Sequence, residues 1–248
     1  MKTKFKHILV ILCLSMISCE GNLEPELFDQ ITPENFLTNE DDVKTAVTGV
    51  YAEFRGISEW GRYKTSWGSV MTLQEVPTDL WAANWFYKAH TDFMWKATDY
   101  FVCEIFEFFV PAITKATALI ARIQDAPVSD DIKNRYIAEL RAVRALWMYD
   151  LFDLYGPVPA ITDPEKILNP TQDFTVTRPS REEYITFVET ELKEVINAQI
   201  LPVAWTGSDY GHVSQATAMM VLLQLYMHEG GYCLSLIHIS EPTRHAQI

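Results

Sequence analysis

The chain has 248 residues, 48% of them apolar and 12% aromatic, a globular composition that excludes an intrinsically disordered protein. Its 33 acids against 20 lysines and arginines leave a formal charge of −13, a surface that repels phosphate backbones, so no nucleic-acid partner is expected. The length suffices for a sizeable core or for the front part of a larger domain.

Residues 1–18 have the composition of a targeting segment. Lys2, Lys4 and Lys6 supply a positive start and Ile8 to Ile17 an apolar run too short to span a bilayer. The segment ends Ser15-Met16-Ile17-Ser18-Cys19, with an apolar residue three before the cysteine and a small one directly before it. This resembles the lipobox of bacterial lipoproteins, which makes Cys19 the expected lipidation site, carrying palmitate-type acyl chains. A plain secretory signal is the alternative. The three lysines leave with the leader and no acid does, taking the charge from −13 to −16. Residues 19–31, with Glu20, Glu24 and Glu26, are acidic and aperiodic, as a tether should be. Cys13 goes with the leader and Cys233 lies in the tail, leaving Cys103 as a small apolar helix residue and no disulfide framework.

The domain is expected over 32–232. Asn39 or Thr38 can cap a helix over 39–55, in which Val43, Val47, Val50, Tyr51 and Phe54 follow the i, i+3, i+4, i+7 template and Gly56 stops the run. Residues 57–98 lose that period: Trp60, Trp67, Trp81, Trp85 and Trp95 crowd a long structured loop, with Met71 to Val76 a short helix or strand. Loops of that length inside a domain are usually functional. The helical period resumes at Asp99 and runs to Ile123, with Pro111 predicting a kink or two consecutive helices.

Asp130 to Pro159 is the spine of the chain. Ile132, Tyr136, Leu140, Val143, Trp147, Leu151 and Leu154 mark one buried face, and Ala138, Ala142 and Ala145 mark a second side open to close helix approach. Asp130 is placed to cap this helix, and Gly156-Pro157 stops it. Residues 158–177 are proline-punctuated and extended. Ser180-Arg181-Glu182-Glu183 is a capping box opening the next helix, whose buried face is Tyr184, Phe187, Val188, Leu192, Val195 and Ile196. Ser214 can cap a last helix over Gln215 to Glu229, apolar on most sides and so expected to be central, with Gly230-Gly231 ending it.

These helices pair as 99–123 with 130–155 and 180–199 with 214–229. The expected fold is therefore all-α, a tetratricopeptide-like array of helix pairs with long aromatic-rich loops, although the consensus repeat motif is absent. From Cys233 the sequence CLSLIHISEPTRHAQI shares neither period nor composition with what precedes it and resembles translated sequencing-adapter read-through. A non-native tail over 233–248 is expected, with the natural protein continuing past Tyr232.

Three stretches together resemble the SusD/RagB family of outer-membrane lipoproteins from Bacteroidetes. Ala138 to Pro159, AELRAVRALWMYDLFDLYGPVP, is similar to its acid-Ala-Arg-aromatic helix ending in Leu-Tyr-Gly-x-Val-Pro. Arg178 to Pro202 is similar to its Arg-Pro-Ser-Arg-x-Glu-Val-Tyr helix. Gly211 to Glu229 is similar to its Gly-Arg-x-Thr helix, with His212 in place of the arginine. The resemblance implies four tetratricopeptide-like helix pairs, with the family's C-terminal half having no counterpart here. It implies a cell-surface, lipid-anchored glycan-binding protein of the outer membrane, a nutrient-uptake component that delivers oligosaccharide to a TonB-dependent SusC-like transporter, with no enzyme activity and no cofactor.

Sugar binding needs flat apolar faces for ring C–H groups and a few polar side chains for hydroxyls. The stretch Gln74 to Trp85 offers both: Trp81 and Trp85 as platforms, Asp79 and Asn84 as hydroxyl partners. The resemblance singles out Trp81 and Asn84, since a tryptophan and an asparagine three apart form a ligand pair in the family. Trp60, Trp67 and Trp95 rank below them, and core packing is the competing role for every tryptophan.

Glu75 and Asp79 are four apart, as a two-carboxyl glycosidase would need on one helical face, but Pro77 between them argues against that helix. His90, His212 and His228 have no metal-ligand spacing, and His90 with Asp92 is expected to be a pair of exposed loop residues. Arg141 and Arg144 flank the spine's buried face and are expected in structural ion pairs. Binding of peptides in place of glycans, a helical-repeat scaffold and a surface glycosidase are the competing functions.

Overall fold

The computed structural model describes residues 37–54, 70–81, 87–168 and 175–233. The leader, Cys19, the tether, Gly56, Trp60, Trp67, Asn84, Trp85 and the tail beyond residue 233 lie outside the described residues.

Helix α1, Glu40–Tyr51, starts where the sequence predicts. The Asn39 side chain accepts from the Asp42 amide at 3.0 Å, and Thr38 donates to the Asp42 carboxylate through both its amide and its hydroxyl. These bonds hold Asp42 below the usual carboxylate range. The α-helix stops at Tyr51 and tightens into a 3₁₀ turn, Ala52–Phe54, so it ends before the predicted residue 55. Val70–Glu75 is a short helix, α2, and Lys88–Thr91 a single turn, α3, that periodicity did not reveal.

Helix α4, Tyr100–Asp125, runs unbroken through Pro111, so the alternative of two consecutive helices does not hold. One absent N–H is a local loss in a helix of 26 residues held by packing along its length. Helix α5, Asp130–Tyr155, is the spine. Its cap position is Ser129 and not Asp130, which sits in the first turn and there faces the helix's free amides with Asp131. Gly156 closes it at φ +72°, ψ −161°, a backbone region open in practice to glycine alone. A short helix α6, Pro164–Leu168, interrupts the stretch expected to be wholly extended.

The predicted capping box opens α7, Arg181–Ala198. The Glu183 amide donates to the Ser180 hydroxyl at 3.2 Å, and the Ser180 amide donates to the Glu183 carboxylate at 2.8 Å. A 3₁₀ turn at Gly207–Asp209 leads to α8, Gln215–Cys233. Ser214 caps α8 by accepting from the Thr217 amide at 3.3 Å. The helix passes through Gly230-Gly231, because glycine weakens a helix without forbidding it.

Helix α4 packs along α5, α7 along α8, and α5 joins the two pairs through α7 and α8, while α1 lies on α4 and α5. This is the predicted pairing. Trp147 is fully buried, its ring centroid 5.0 Å from Phe54 and 5.8 Å from Phe109, and Leu140, Val143 and Leu151 continue its face, with Ile132 and Leu154 half-buried at its ends. Each such side chain contributes roughly 1.5–3 kcal/mol by leaving water. Small residues at 138, 142 and 145 are buried as expected.

Charge is buried with its partners. Arg144 on α5 donates from Nε to Glu191 on α7 at 3.1 Å and from Nη1 to the Thr117 hydroxyl at 2.9 Å, and Arg141 donates to the other Glu191 oxygen at 2.9 Å. Burial alone would lower the Arg141 pKa, but its bonds to Glu191 and Glu194 win and raise it.

The expectation that α8 is central fails. Ala218, Val221 and Leu225 are buried, but Met219, Met220, Leu223, Tyr226 and Met227 are exposed, so only one stripe of the helix has a cover among the described residues. Apolar composition all round predicts burial only when partners exist on every side. None of the described helices is long and apolar enough to cross a membrane.

Candidate functional site

The turn after α2 presents the first predicted platform. Val76 is buried as an anchor, and the Thr78 hydroxyl donates to the Glu75 carbonyl at 2.6 Å, which closes the turn after Pro77. Asp79, Leu80 and Trp81 follow on the surface, with Leu80 84% and Trp81 38% exposed. Trp81 is therefore not a core residue. Glu75 ends α2 and Asp79 lies in the turn beyond Pro77, so the two do not share a helical face.

A second aromatic cluster follows α3. The Met94 amide donates to the Ala89 carbonyl at 2.7 Å and the Phe93 amide to His90 at 3.2 Å, folding the chain back on that single helical turn. Phe93 adopts φ +56°, an uncommon conformation for an aromatic residue. The result is Phe93 at 67% and Trp95 at 43% exposure, ring centroids 5.7 Å apart. His90 lies beneath, buried, and stacks on Trp95 at 6.0 Å with planes 16° from parallel. Burial pushes the His90 imidazole below its usual pKa, with Asp99 opposing, so it is neutral at pH 7. The expectation that His90 and Asp92 are both exposed fails for His90; Asp92 pairs with Lys88 at 2.6 Å.

Phe93 and Trp95 border a groove of about 1050 Å³ between α2, α5 and α8. Gln74 crosses from α2 to donate to Asp153 on α5 at 2.8 Å, and the Tyr149 hydroxyl lies 2.9 Å from His228 Nδ1. Glu75, Asp150 and Asp153 give the groove carboxylate acceptors, and its described lining contains neither lysine nor arginine. Aromatic faces beside acceptors and amides are what a neutral polyhydroxylated ligand requires.

The structure brings Pro77 and Trp95 to one groove and sets Trp81 and Asp79 on the turn after it. Phe93 and Asp153 were missed by sequence reasoning, and Gln74 entered only as the first residue of the candidate stretch; the signal available was Phe93-Met94-Trp95, three consecutive apolar residues with no period to bury them.

His212 belongs to a structural cluster and not to this groove. Its Nδ1 lies 2.8 Å from Glu139, a fully buried carboxylate that also accepts from the Tyr51 hydroxyl at 2.9 Å and from Arg135 Nε at 3.1 Å. Arg135 in turn lies over the Trp205 ring at 4.4 Å and pairs with Asp209. The cluster ties the loop before α8 to α1 and α5. Among the described residues no group of three His, Cys, Asp or Glu side chains has a metal-site arrangement.

An all-α array of tetratricopeptide-like helix pairs with an exposed aromatic flank is the class this fold defines. No family model matches the chain. In sequence it is 23% identical over 241 residues to a SusD-like protein of Formosa agariphila, a match covering 92% of this chain and 44% of the relative. In fold it is similar to surface glycan-binding protein A from Bacteroides uniformis, with TM-score 0.65, 16% identity, and 77% of this chain and 42% of the other covered. It is also similar to surface glycan-binding protein A from Bacteroides thetaiotaomicron in complex with laminarihexaose, with TM-score 0.59, 16% identity, and coverage of 78% and 40%. The chain is SusD-like in sequence and in fold. It spans less than half the length of the curated relatives it matches.

Proposed function

We propose that the chain is the helical part of a cell-surface glycan-binding lipoprotein, a binder and not a hydrolase. The observation that carries this reading is the exposed segment Phe93 to Trp95 bordering an acceptor-lined groove on a SusD-like fold, with the exposed Trp81 four residues after Pro77 of the same groove. Trp81 and Trp95 stack on sugar rings, and Asp79 and the groove carboxylates accept from hydroxyls; Asn84 and Trp85, outside the described residues, remain candidate ligand residues on the sequence alone. The cation-poor lining favours neutral glycans over anionic ones. The solved relative holding laminarihexaose makes β-glucan oligosaccharides the first ligands to try.

In this reading Cys19 carries the lipid anchor at the outer membrane, and the captured oligosaccharide passes to a SusC-like TonB-dependent transporter. Calorimetric titration of the leaderless protein against a glycan panel tests the binding role. Saturable binding without sugar release supports it; binding of peptides and of no glycan overturns it. Metabolic labelling with a palmitate analogue tests the anchor, with Cys19→Ala expected to abolish incorporation. Co-purification from detergent-solubilised outer membranes tests the transporter partnership.

A further inference from the structure

A second cavity, of about 360 Å³, opens between α2, α4 and the end of α5. Its walls are aliphatic at Leu73, Val102 and Leu154, with the Trp95 ring, His90 and Tyr155 completing them. No charge faces it from the described lining. Burial keeps His90 neutral at pH 7, and burial likewise raises the pKa of the Tyr155 phenol, whose hydroxyl is already committed to the Val102 carbonyl at 2.7 Å. The described lining is uncharged and largely aliphatic, so apolar contact is what the pocket offers a ligand.

Trp95 is the shared wall. Leu73, Pro77, Trp95 and Leu154 line both this pocket and the 1050 Å³ groove, so a ligand lying along the groove at Trp95 reaches the pocket mouth. Trp81 is four residues beyond Pro77, which places its Cα within about 14 Å of that wall by chain length alone. The volume is at the lower end for a ligand site, about 300–1,000 Å³, and suits a substituent better than a chain of rings.

We infer that the pocket takes a methyl-bearing substituent of a neutral glycan seated in the groove. The methyl group comes from a 6-deoxy sugar or from an acetyl group; both present the same apolar end to Leu73, Val102 and Leu154. This inference rests on the glycan-binding reading and names the ligand class of that site. The neutral walls select against carboxylated or sulfated substituents, whose charge would lose its water without gaining a partner.

The test is titration of the full chain against matched oligosaccharides that differ in one substituent: 6-deoxy against 6-hydroxy, and O-acetylated against deacetylated. Ala97 lines the pocket at an exposed position, and Ala97→Leu narrows it. The methyl-bearing member of at least one pair binds about fourfold tighter or more, the gain expected for burying one methyl group, and the preferred pair identifies its source. Ala97→Leu reduces that preference, and an unchanged melting temperature of the variant reports an intact fold. Equal affinities within both pairs, or a preference that Ala97→Leu leaves undiminished, overturn the inference while glycan binding stands. Absence of binding to every glycan overturns both.

Discussion

Trp95 lies stacked over the buried His90, with ring centroids 6.0 Å apart and planes 16° from parallel. One face of the indole is thereby fixed by the protein interior while 43% of the residue stays open to solvent. A platform held on one side and open on the other loses little conformational entropy when a ring stacks on it.

Because 43% of Trp95 is exposed, Trp95→Ala is expected to cost about 2 kcal/mol of stability, roughly half of what a fully buried tryptophan loses. Trp147→Ala, in the core between Phe54 and Phe109, is expected to cost about 3–5 kcal/mol. Urea denaturation of the two variants separates a surface aromatic from a core one; equal losses would show that Trp95 is structural.

Acidification should loosen the α3 segment. Burial makes the folded pKa of His90 lower than its unfolded value of 6.5, so the unfolded chain takes up the proton first as pH falls. The stability contribution is complete above pH 6.5 and is lost as pH drops through the lowered folded value. The carboxylates held low by their hydrogen bonds, Asp42, Glu183, Glu189 and Asp209, keep their contribution down to about pH 4.5, so they do not act in that window. Thermal melts at pH 7.5 and pH 5 should show a smaller fall for His90→Gln than for the wild type. An identical fall in both would remove His90 as the cause.

Glu191 accepts from both Arg141 and Arg144. Glu191→Leu leaves the Arg144 guanidinium buried beside Thr117 without its counter-charge, and about 3–5 kcal/mol of stability is expected to go with it. An unchanged denaturation midpoint would mean that water reaches Arg144.

On α8, Leu223→Gln is expected to change stability by less than about 0.5 kcal/mol, whereas Leu225→Ala, two residues on and buried, should cost about 2–5 kcal/mol. Comparable losses at both positions would mean that the outer face of α8 is covered in solution.

The helices and their pairing were legible because the period from Tyr136 to Leu151 and the Ser180-Glu183 box are local signals that packing does not contradict. What escaped was decided by tertiary context. Periodicity cannot distinguish an α8 surrounded by helices from one covered on a single side, and it does not report that α4 tolerates Pro111. At the candidate site, residue type and neighbours left Trp81 either a platform or a core residue, and only the structure shows it 38% exposed. The place of Trp95 at the groove and the burial of His90 escaped, because a one-turn helix such as α3 is too short to carry a period, and its fold-back depends on backbone bonds from Phe93 and Met94.

The most direct measurement is calorimetric titration of the leaderless chain, Trp81→Ala and Trp95→Ala with neutral oligosaccharides, laminarihexaose first among them. The account predicts saturable binding by the wild type and an approximately tenfold loss, about 1.4 kcal/mol, in each variant, with melting temperatures within a few degrees of wild type. Variants that bind as the wild type does, or a chain that binds no glycan while remaining folded, would contradict it.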